Sequence, residues 1–177
     1  MNDIEIESAL HGAGKQTSNE EMAGLGELIR ANGCTNVAEI GISEGRSLLF
    51  WACLMDESGL LIGIDAHNIL KWDTSIAKPR VELIFGDSKN DSTEAMFAVT
   101  LGDRKLDFLR IDGGHDYESV SNDHRRYEKY VRPGGLIAFH DNYSSKEVAR
   151  FTNELKNKHD IKYILWDNKP ETAYYFK

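Results

Sequence analysis

The chain has 177 residues, of which 41% are hydrophobic and 28% are charged, and its formal net charge is −8. This length and balance are typical of a single globular domain with a sizeable core, and the negative charge disfavours non-specific nucleic-acid binding. No apolar run approaches the roughly 20 residues of a membrane span, and the first residues have no signal-peptide pattern. We therefore expect a cytoplasmic protein that binds neither nucleic acid nor membrane.

Strand-like apolar segments alternate with segments of helical periodicity along most of the chain. Residues 1–16 have no clear pattern and form an N-terminal segment that could act as a lid, whereas residues 17–177 form the predicted domain. After a helix at about 17–32, strands are predicted at 37–42, 60–65, 81–87, 106–112 and 136–141. Helices follow the first, third, fourth and fifth of these strands, and the third of these helices should end at Pro133-Gly134-Gly135.

Strands that alternate with helices predict βαβ units, and therefore a mainly parallel sheet with helices on both faces. Two further strands, at 161–167 and 172–177, close the chain without a helix between them. The stretch "DNKPE" that joins them is rich in turn-forming residues. We therefore predict an α/β fold with seven strands and an antiparallel C-terminal hairpin.

Acidic residues mark the ends of the first three strands. Glu39 precedes a glycine turn, Asp65 ends the second strand, and Asp87 follows Gly86 after the third. Ligands of open α/β sheets bind at the carboxyl ends of the strands, near the point where the strand order reverses. These acidic ends therefore predict a single ligand crevice.

The stretch "EIGISEGRS" at 39–47 is a strand, a glycine turn and a helix start. It is neither the G-x-G-x-x-G of dinucleotide-binding folds nor a Walker loop. A carboxylate at Glu39 would repel a pyrophosphate but suits a cationic or amine-bearing ligand.

In this loop and in three later elements, the chain resembles class I S-adenosylmethionine-dependent methyltransferases. The resemblance extends from about Thr17 to Lys177 and implies their Rossmann-like fold. The later elements are Asp65, the stretch Gly86-Asp87-Ser88, and "VRPGGLIAFHD".

The resemblance also implies how S-adenosylmethionine would bind. The glycine loop would pass under the methionine part of the cofactor, with Glu39 near its amino group. Asp65 would accept both ribose hydroxyls. The complete set of cofactor-binding residues implied in this way is Glu39, Gly41, Gly45, Asp65, Ala66, Asp87, Ser88 and Asp112.

The stretch "RIDGGHDY" at 110–117 gathers titratable side chains at the end of the fourth strand. Asp112, with Asp141 and Asn142 after the fifth strand, resembles the metal site of catechol-type O-methyltransferases. Oxygen ligands of this kind suit Mg²⁺. The longer pattern "DGGHDYESVSND" is similar to that of bacterial sugar and macrolide O-methyltransferases. The resemblance implies that His115 is the general base and that Asp112 shares in catalysis.

Each of these residues also has a structural interpretation. Asp112 could cap the following helix, His115 could be an ordinary turn residue, and Asn142 could be a turn residue rather than a ligand. Asp123 is predicted to have a structural role and to orient His124 or Arg125.

Strand alternation gives a separate prediction for His140. Because this residue directly precedes Asp141, it should point to the opposite face of the sheet, away from the metal.

The leading functional hypothesis is metal-assisted O-methylation of a hydroxyl on a small-molecule acceptor, such as a sugar or natural product. A homodimer could complete the site. One alternative is a metal-dependent enzyme that resembles cephalosporin-hydroxylase-like proteins, in which Asp112, His115 and Asp141 would hold iron. The other is a non-catalytic methyltransferase-like domain that binds cofactor or a partner protein.

Overall fold

The computed structural model describes residues 19–177, which form a seven-stranded sheet with helices packed against it. The predicted N-terminal segment at 1–16 lies outside the described residues. The strands are β1 (Asn36–Ile40), β2 (Leu60–Asp65), β3 (Arg80–Phe85), β4 (Leu106–Ile111), β5 (Val131–Phe139), β6 (Lys162–Trp166) and β7 (Lys169–Phe176). The helices are α1 (Asn19–Ala31), α2 (Arg46–Leu54), α3 (Asp91–Leu101), α4 (Tyr117–Tyr127) and α5 (Lys146–Leu155).

The strand order is β3-β2-β1-β4-β5-β7-β6. The first five strands pair in parallel, and β7 is antiparallel to both β5 and β6. The order therefore reverses between β1 and β4, which is where an open α/β sheet forms its ligand crevice. The predicted fold class is confirmed.

The two faces of the sheet bury separate apolar clusters. Val37 of β1 and Phe108 of β4 pack with α1 and α2, whereas Ala38 and Leu109 belong to the cluster that includes α3, α4 and α5. Because side chains alternate along a strand, the residues two positions after Val37 and Phe108 also face α2. This places Glu39 and Arg110 on the same face. None of the helices between residues 19 and 177 combines the length and apolar character that a membrane span requires.

The stretch Pro133-Gly134-Gly135 does not end a helix as predicted. Helix α4 ends at Tyr127, a 3₁₀ turn continues from Glu128 to Tyr130, and β5 already begins at Val131. The stretch lies within β5, where the register with β4 shifts and Gly134 adopts a φ of 74°. Gly134 N donates to the carbonyl of Lys177 at 2.6 Å, so pairing with the chain end turns a turn-forming sequence into an irregular strand.

The C-terminal hairpin is confirmed, and its loop is shorter than the predicted turn. Asp167 and Asn168 both have positive φ, at 49° and 59°. Two consecutive left-handed residues form the type I′ loop that matches the twist of paired strands. Lys169 and Pro170 already belong to β7.

Asp107 links the N-terminal ends of β1, β4 and β5 by hydrogen bonds. Its Oδ2 accepts hydrogen bonds from the backbone N–H groups of Thr35 and Asn36, both at 2.9 Å, and its Oδ1 accepts one from Arg132 Nε at 2.6 Å. Burial alone would raise its pKa, but the hydrogen bonds from Arg132, Asn36 and Thr35 outweigh burial and hold the pKa below its usual value.

Replacing Asp107 with Asn should destabilise the fold by about 1–3 kcal/mol at pH 7, because the charged acceptor of several partly buried donors is lost. Urea unfolding monitored by circular dichroism measures this difference. A lowered carboxyl pKa stabilises above the unfolded pKa and is lost as the pH falls through the folded pKa, so the difference should shrink in acid. The exposed Asp103→Asn variant is the control, and equal stability of the two variants would contradict the prediction.

Candidate active site

A cavity of about 580 Å³ lies at the carboxyl ends of the parallel strands. Its volume is within the range of small-molecule and cofactor sites. The cavity is bordered by predicted site residues from five strand ends, namely Gly41, Asp65, Asp87, Ser88, Asp112 and Asp141. The predicted single crevice is therefore present, and the residues predicted at the strand ends line it.

Gly41 brings the loop after β1 against the end of β4. It has a φ of 84°, and a Cβ at this position would lie 1.9 Å from the carbonyl oxygen of Asp112. No other residue type fits this close backbone approach. Gly45 has a φ of 85° and is the N-cap residue of α2, but it packs against Leu70 instead of bordering the cavity.

Asp65 holds the glycine loop in place from the end of β2. Its Oδ2 accepts a hydrogen bond from Ser43 N and its Oδ1 accepts one from His67 N, both at 2.8 Å. Each carboxylate oxygen keeps a further lone pair for a ligand hydroxyl. Asp65 and the following Ala66 border the cavity.

Glu39 does not reach the cavity wall. It is fully buried on the α2 face, where it accepts hydrogen bonds from Ser47 Oγ at 2.6 Å and Trp51 Nε1 at 3.0 Å, and pairs with Arg110. Burial raises its pKa, although Arg110 and Ser47 oppose this effect. Strand alternation thus points Glu39 under α2 into an internal ion pair, and its implied place near a cofactor amino group stays a prediction.

Sequence reasoning missed Arg110. This buried side chain bridges Glu39 and Asp112, with 2.6 Å between its Nη1 and Asp112 Oδ2. Burial favours loss of its proton, but Asp112 and Glu39 outweigh burial and raise the arginine pKa. The sequence does contain an indication of this role, since Arg110 is a charged residue within the buried stretch "FLRI".

Asp112, His115 and Asp141 form a group whose ligand atoms all lie within 4.8 Å of one another. His115 Nε2 is 2.8 Å from Asp141 Oδ2 and 3.7 Å from Asp112 Oδ1. Hydrogen bonds to Asp112 and Asp141 raise the pKa of His115 to about 10. Burial would raise the pKa of Asp112, but Arg110, His115 and His140 together hold it well below its usual range. Such a group can hold a divalent cation.

The prediction that His140 points away from this group is wrong. Its Nδ1 lies 3.0 Å from Asp112 Oδ1 and 3.3 Å from Asp141 Oδ2, and its Nε2 lies 3.5 Å from Glu21 Oε1 on α1. Alternation does place His140 on the α1 face, two residues after Ala138. The prediction failed because Asp112 lies on this same face beside Arg110, and because a left-handed φ of 57° turns Asp141 back towards His140. His140 therefore borders the cavity beside Asp112.

Asn142 is not brought into the group. Its Nδ2 donates to the carbonyl of Pro170 at 2.8 Å, and its Oδ1 accepts a hydrogen bond from Thr152 Oγ1 at 2.5 Å. The left-handed conformation of Asp141 turns the chain so that Asn142 links β7 to α5. The arrangement corresponds to the structural interpretation of Asn142 and not to the predicted ligand set.

Asp123 of α4 borders the cavity at the end where Ser88 lies. It is 1% exposed, and its Oδ1 accepts a hydrogen bond from Ser88 Oγ at 2.7 Å. The predicted pairing with His124 or Arg125 is wrong, since His124 contacts Tyr175 and Arg125 donates to Asn122. Burial, reinforced by the charge of Asp87, raises the pKa of Asp123 to about 6.

Comparison with known proteins identifies the class. Residues 38–142, more than half of the chain, match the family model described as a methyltransferase domain. The fold is that of class I methyltransferases, and the chain belongs to the methyltransferase domain family.

Among relatives, caffeoyl-CoA O-methyltransferase 2 of Zea mays is 30% identical over 131 residues, which are 70% of this chain and 48% of that protein. The chain thus spans about half the length of the curated relatives it matches. An O-methyltransferase from Bacillus cereus, solved in complex with SAH, has a TM-score of 0.74 at 16% identity and covers 100% of this chain and 92% of its own. MycE methyltransferase of the mycinamycin biosynthetic pathway, solved with Mg, SAH and mycinamycin VI, has a TM-score of 0.70 at 17% identity, over 98% of this chain and 53% of its own.

Replacing Arg110 with Met should cost about 3–5 kcal/mol of stability, because it leaves Glu39 and Asp112 without their shared cation. Adding Glu39→Gln to that variant should recover part of the loss, since one of the two uncompensated charges is then removed. Urea unfolding of the native protein, both single variants and the double variant gives the coupling energy. Arg104→Met, at an exposed position, is the matched control. A cost for Arg110→Met no larger than that of the control would refute the bridging role.

Replacing Asp123 with Asn should stabilise the protein above pH 6. The folded pKa of about 6 exceeds the unfolded value of about 3.9, so the native carboxyl contributes most below the unfolded pKa and loses that contribution as the pH rises through 6. The two proteins should be about equally stable at pH 4, and the variant should be more stable at pH 8 by up to about 2–3 kcal/mol. Thermal unfolding across this range measures the difference, and a pH-independent difference would contradict the assignment.

Proposed function

We propose that this protein is an S-adenosylmethionine-dependent methyltransferase that methylates a hydroxyl oxygen of a small molecule with the help of a divalent cation. The observation that carries the proposal is the position of Asp112, His115 and Asp141 at the cavity beside the glycine turn of β1. The O-methyltransferase relative from Zea mays supports the reaction type. The SAH and Mg of the MycE complex support the two ligands.

The cavity suits an S-adenosylmethionine molecule in three respects. Gly41 lets the loop after β1 close against the end of β4, so that its backbone borders the cavity at the switch point. The carboxylate of Asp65, already fixed by two backbone N–H groups, would accept the ribose hydroxyls beside Ala66. Asp87 and Ser88 border the far end, where the base would lie. The negative carboxylates around the cavity also favour a ligand that carries a sulfonium charge.

The donor atoms of the group fit a divalent cation. The carboxylates of Asp112 and Asp141 would hold it, and oxygen donors of this kind suit Mg²⁺. Such a cation supplies a lowered pKa for the acceptor hydroxyl and stabilises the developing negative charge. Arg110 and His140 keep Asp112 ionised and fixed in place.

His115 would act as the general base. It is half exposed at the cavity, so an acceptor hydroxyl can approach its ring from solvent. Its raised pKa results from the two carboxylates, and carboxylates committed to a cation no longer hold the imidazole proton. The neutral Nε2 would then take the hydroxyl proton as the oxygen–methyl bond forms and the sulfur–methyl bond breaks.

A second candidate function is favoured by the composition of the same group. Two carboxylates and one imidazole within 4.8 Å are also the donor set of non-haem iron enzymes, as in the cephalosporin-hydroxylase-like alternative. Oxygen uptake that depends on Fe²⁺ and proceeds without S-adenosylmethionine would favour this function over methyl transfer.

Isothermal titration calorimetry tests the main proposal directly. The native protein should bind S-adenosylmethionine, and Asp65→Ala should weaken binding by about tenfold to a hundredfold, because a charged acceptor of ribose hydroxyls is lost. Titrations with and without Mg²⁺ show whether binding of the cofactor depends on the cation.

The exposed Asp56→Ala variant serves as the control and should bind as the native protein does. A thermal melt of each variant establishes that it is folded. Absence of binding to the native protein, both with and without Mg²⁺, would overturn the proposal.

A further inference from the structure

His140 is a buried imidazole that lies against two carboxylates without being aligned for a hydrogen bond to either. The side chain is 7% exposed, and among residues 19–177 neither of its ring nitrogens has a hydrogen-bond partner. Its Nδ1 nevertheless lies 3.0 Å from Asp112 Oδ1 and 3.3 Å from Asp141 Oδ2. Both oxygens are therefore close to Nδ1 but off the direction in which a ring N–H would donate. Buried polar atoms are almost always paired, so this arrangement requires an explanation.

The spacing of these three atoms is that of donors that share one metal ion. Metal–ligand bonds of about 2.0–2.2 Å that meet at roughly 90–110° place the donor atoms about 3–3.5 Å apart, and the donors point at the metal instead of at one another. Atoms this close shield one another from water but leave room for a smaller cation. His140, Asp112 and Asp141 all border the cavity, which gives a cation its path to them.

Each carboxylate has one oxygen engaged elsewhere and the other turned towards His140. Asp112 Oδ2 pairs with Arg110 Nη1 at 2.6 Å, and Asp141 Oδ1 accepts a hydrogen bond from Ser144 Oγ at 2.7 Å. The two remaining oxygens, Asp112 Oδ1 and Asp141 Oδ2, are those that lie beside His140 Nδ1. Two oxygens and one nitrogen thus converge on one point from side chains that are each held on another side.

The other nitrogen of His140 faces a buried carboxylate on α1. Its Nε2 lies 3.5 Å from Glu21 Oε1, which accepts a hydrogen bond from Thr172 Oγ1 at 2.7 Å, and Glu21 is 1% exposed. A metal-binding histidine usually presents its second ring N–H to a carboxylate or carbonyl, which fixes the tautomer and the orientation of the ring. Glu21 is in the position that this role requires.

His115 is the competing imidazole. Its Nε2 lies 2.8 Å from Asp141 Oδ2 but 3.7 Å from Asp112 Oδ1, and its side chain is 50% exposed. An exposed ring can turn towards solvent, whereas His140 is enclosed between Glu21 and the two carboxylates. A nitrogen bound to a cation cannot accept a proton, so a base at His115 is best served when a different imidazole binds the metal.

We propose that His140 Nδ1 binds the cation together with Asp112 and Asp141. Glu21 is then a positioning residue that acts through His140. The inference rests on the proposed function, in which the two carboxylates hold a cation and His115 is the base. The cation would replace the direct contacts of the imidazole with the carboxylates, and because ligation requires an unprotonated Nδ1, binding releases a proton. Since imidazole suits Zn²⁺ and Fe²⁺ whereas Mg²⁺ prefers oxygen, the site should select a transition-metal cation.

NMR of the imidazole rings tests the inference on the native full-length chain. Long-range ¹H–¹⁵N spectra recorded during titration with Zn²⁺ show which ring nitrogen binds the metal. Nδ1 of His140 should acquire the shift of a metal-bound nitrogen, and its Nε2 should stay protonated and face Glu21.

Calorimetry with Zn²⁺ and Mg²⁺ measures the contribution of each residue. His140→Gln should weaken Zn²⁺ binding by about a hundredfold or more, and Glu21→Gln by about tenfold, because partners outside the ligand set already contribute about tenfold to a hundredfold to metal affinity. Mg²⁺ binding should change by less than about tenfold in both variants, since Mg²⁺ relies on the carboxylates. His67→Gln, at an exposed histidine, is the matched control and should bind Zn²⁺ as the native protein does.

The outcomes separate this inference from the proposed function. A thermal melt establishes that His140→Gln is folded, and the NMR measurement needs no variant. The inference fails, and the proposed function stands, if Zn²⁺ binds through His115 or without any imidazole, or if folded His140→Gln keeps the native affinity for Zn²⁺. If the native protein binds neither Zn²⁺ nor Mg²⁺, both the inference and the metal assistance in the proposed function are overturned.

Discussion

The ion pairs of Arg110 with Glu39 and Asp112 are the interactions on which the carboxyl edge of the sheet depends. They join neighbouring strands below the cavity, in a position closed to water. From Asp112 the alternation of charge continues through His140 to Glu21 on α1. A buried charge is costly unless an opposite charge accompanies it. Each carboxylate in this row has a cationic neighbour. The fold therefore tolerates buried acidic residues beneath the cavity without a large loss of stability.

Two left-handed residues determine the shape of the cavity above this row. Gly41 lets the loop after β1 pass directly over the Asp112 carbonyl, and Asp141 ends β5 by turning its carboxylate back towards Asp112. The turn at Asp141 also sets this carboxylate beside the ring of His140, which reaches the cavity from the end of β5. The site thus depends on backbone conformation at two strand ends as much as on the side chains that it displays.

Local pattern was sufficient to predict the strands, the hairpin and the strand ends that meet at the cavity. Apolar runs with β-branched residues identify strands whatever their neighbours are, and the order of strands and helices then restricts the topology. The stretch Pro133-Gly134-Gly135 was misread because its turn preference is overridden by pairing with Lys177, at the end of the chain. Asn142 was misplaced by one left-handed residue, Asp141, whose conformation has no marker in the sequence. His140 was misplaced because Asp112 lies on the same face of the sheet as His140. Arg110 was missed because a charged residue inside a buried strand indicates that a partner exists but does not show which residue the partner is.

The two ends of the cavity differ in whether cationic side chains of the protein neutralise the carboxylates there. At the end near Asp112 and Asp141, cations of the protein itself compensate the carboxylates, so a ligand there must replace existing partners and an added metal competes with imidazole. At the other end, burial desolvates Asp123, and its Oδ2 has no hydrogen-bond donor within reach. A carboxylate with cationic neighbours stays ionised, whereas a desolvated carboxylate without one takes up a proton more readily. The two ends therefore place different demands on a ligand: beside Asp112 and Asp141 it must displace internal partners, whereas beside Asp123 it meets a carboxylate that burial has made less acidic.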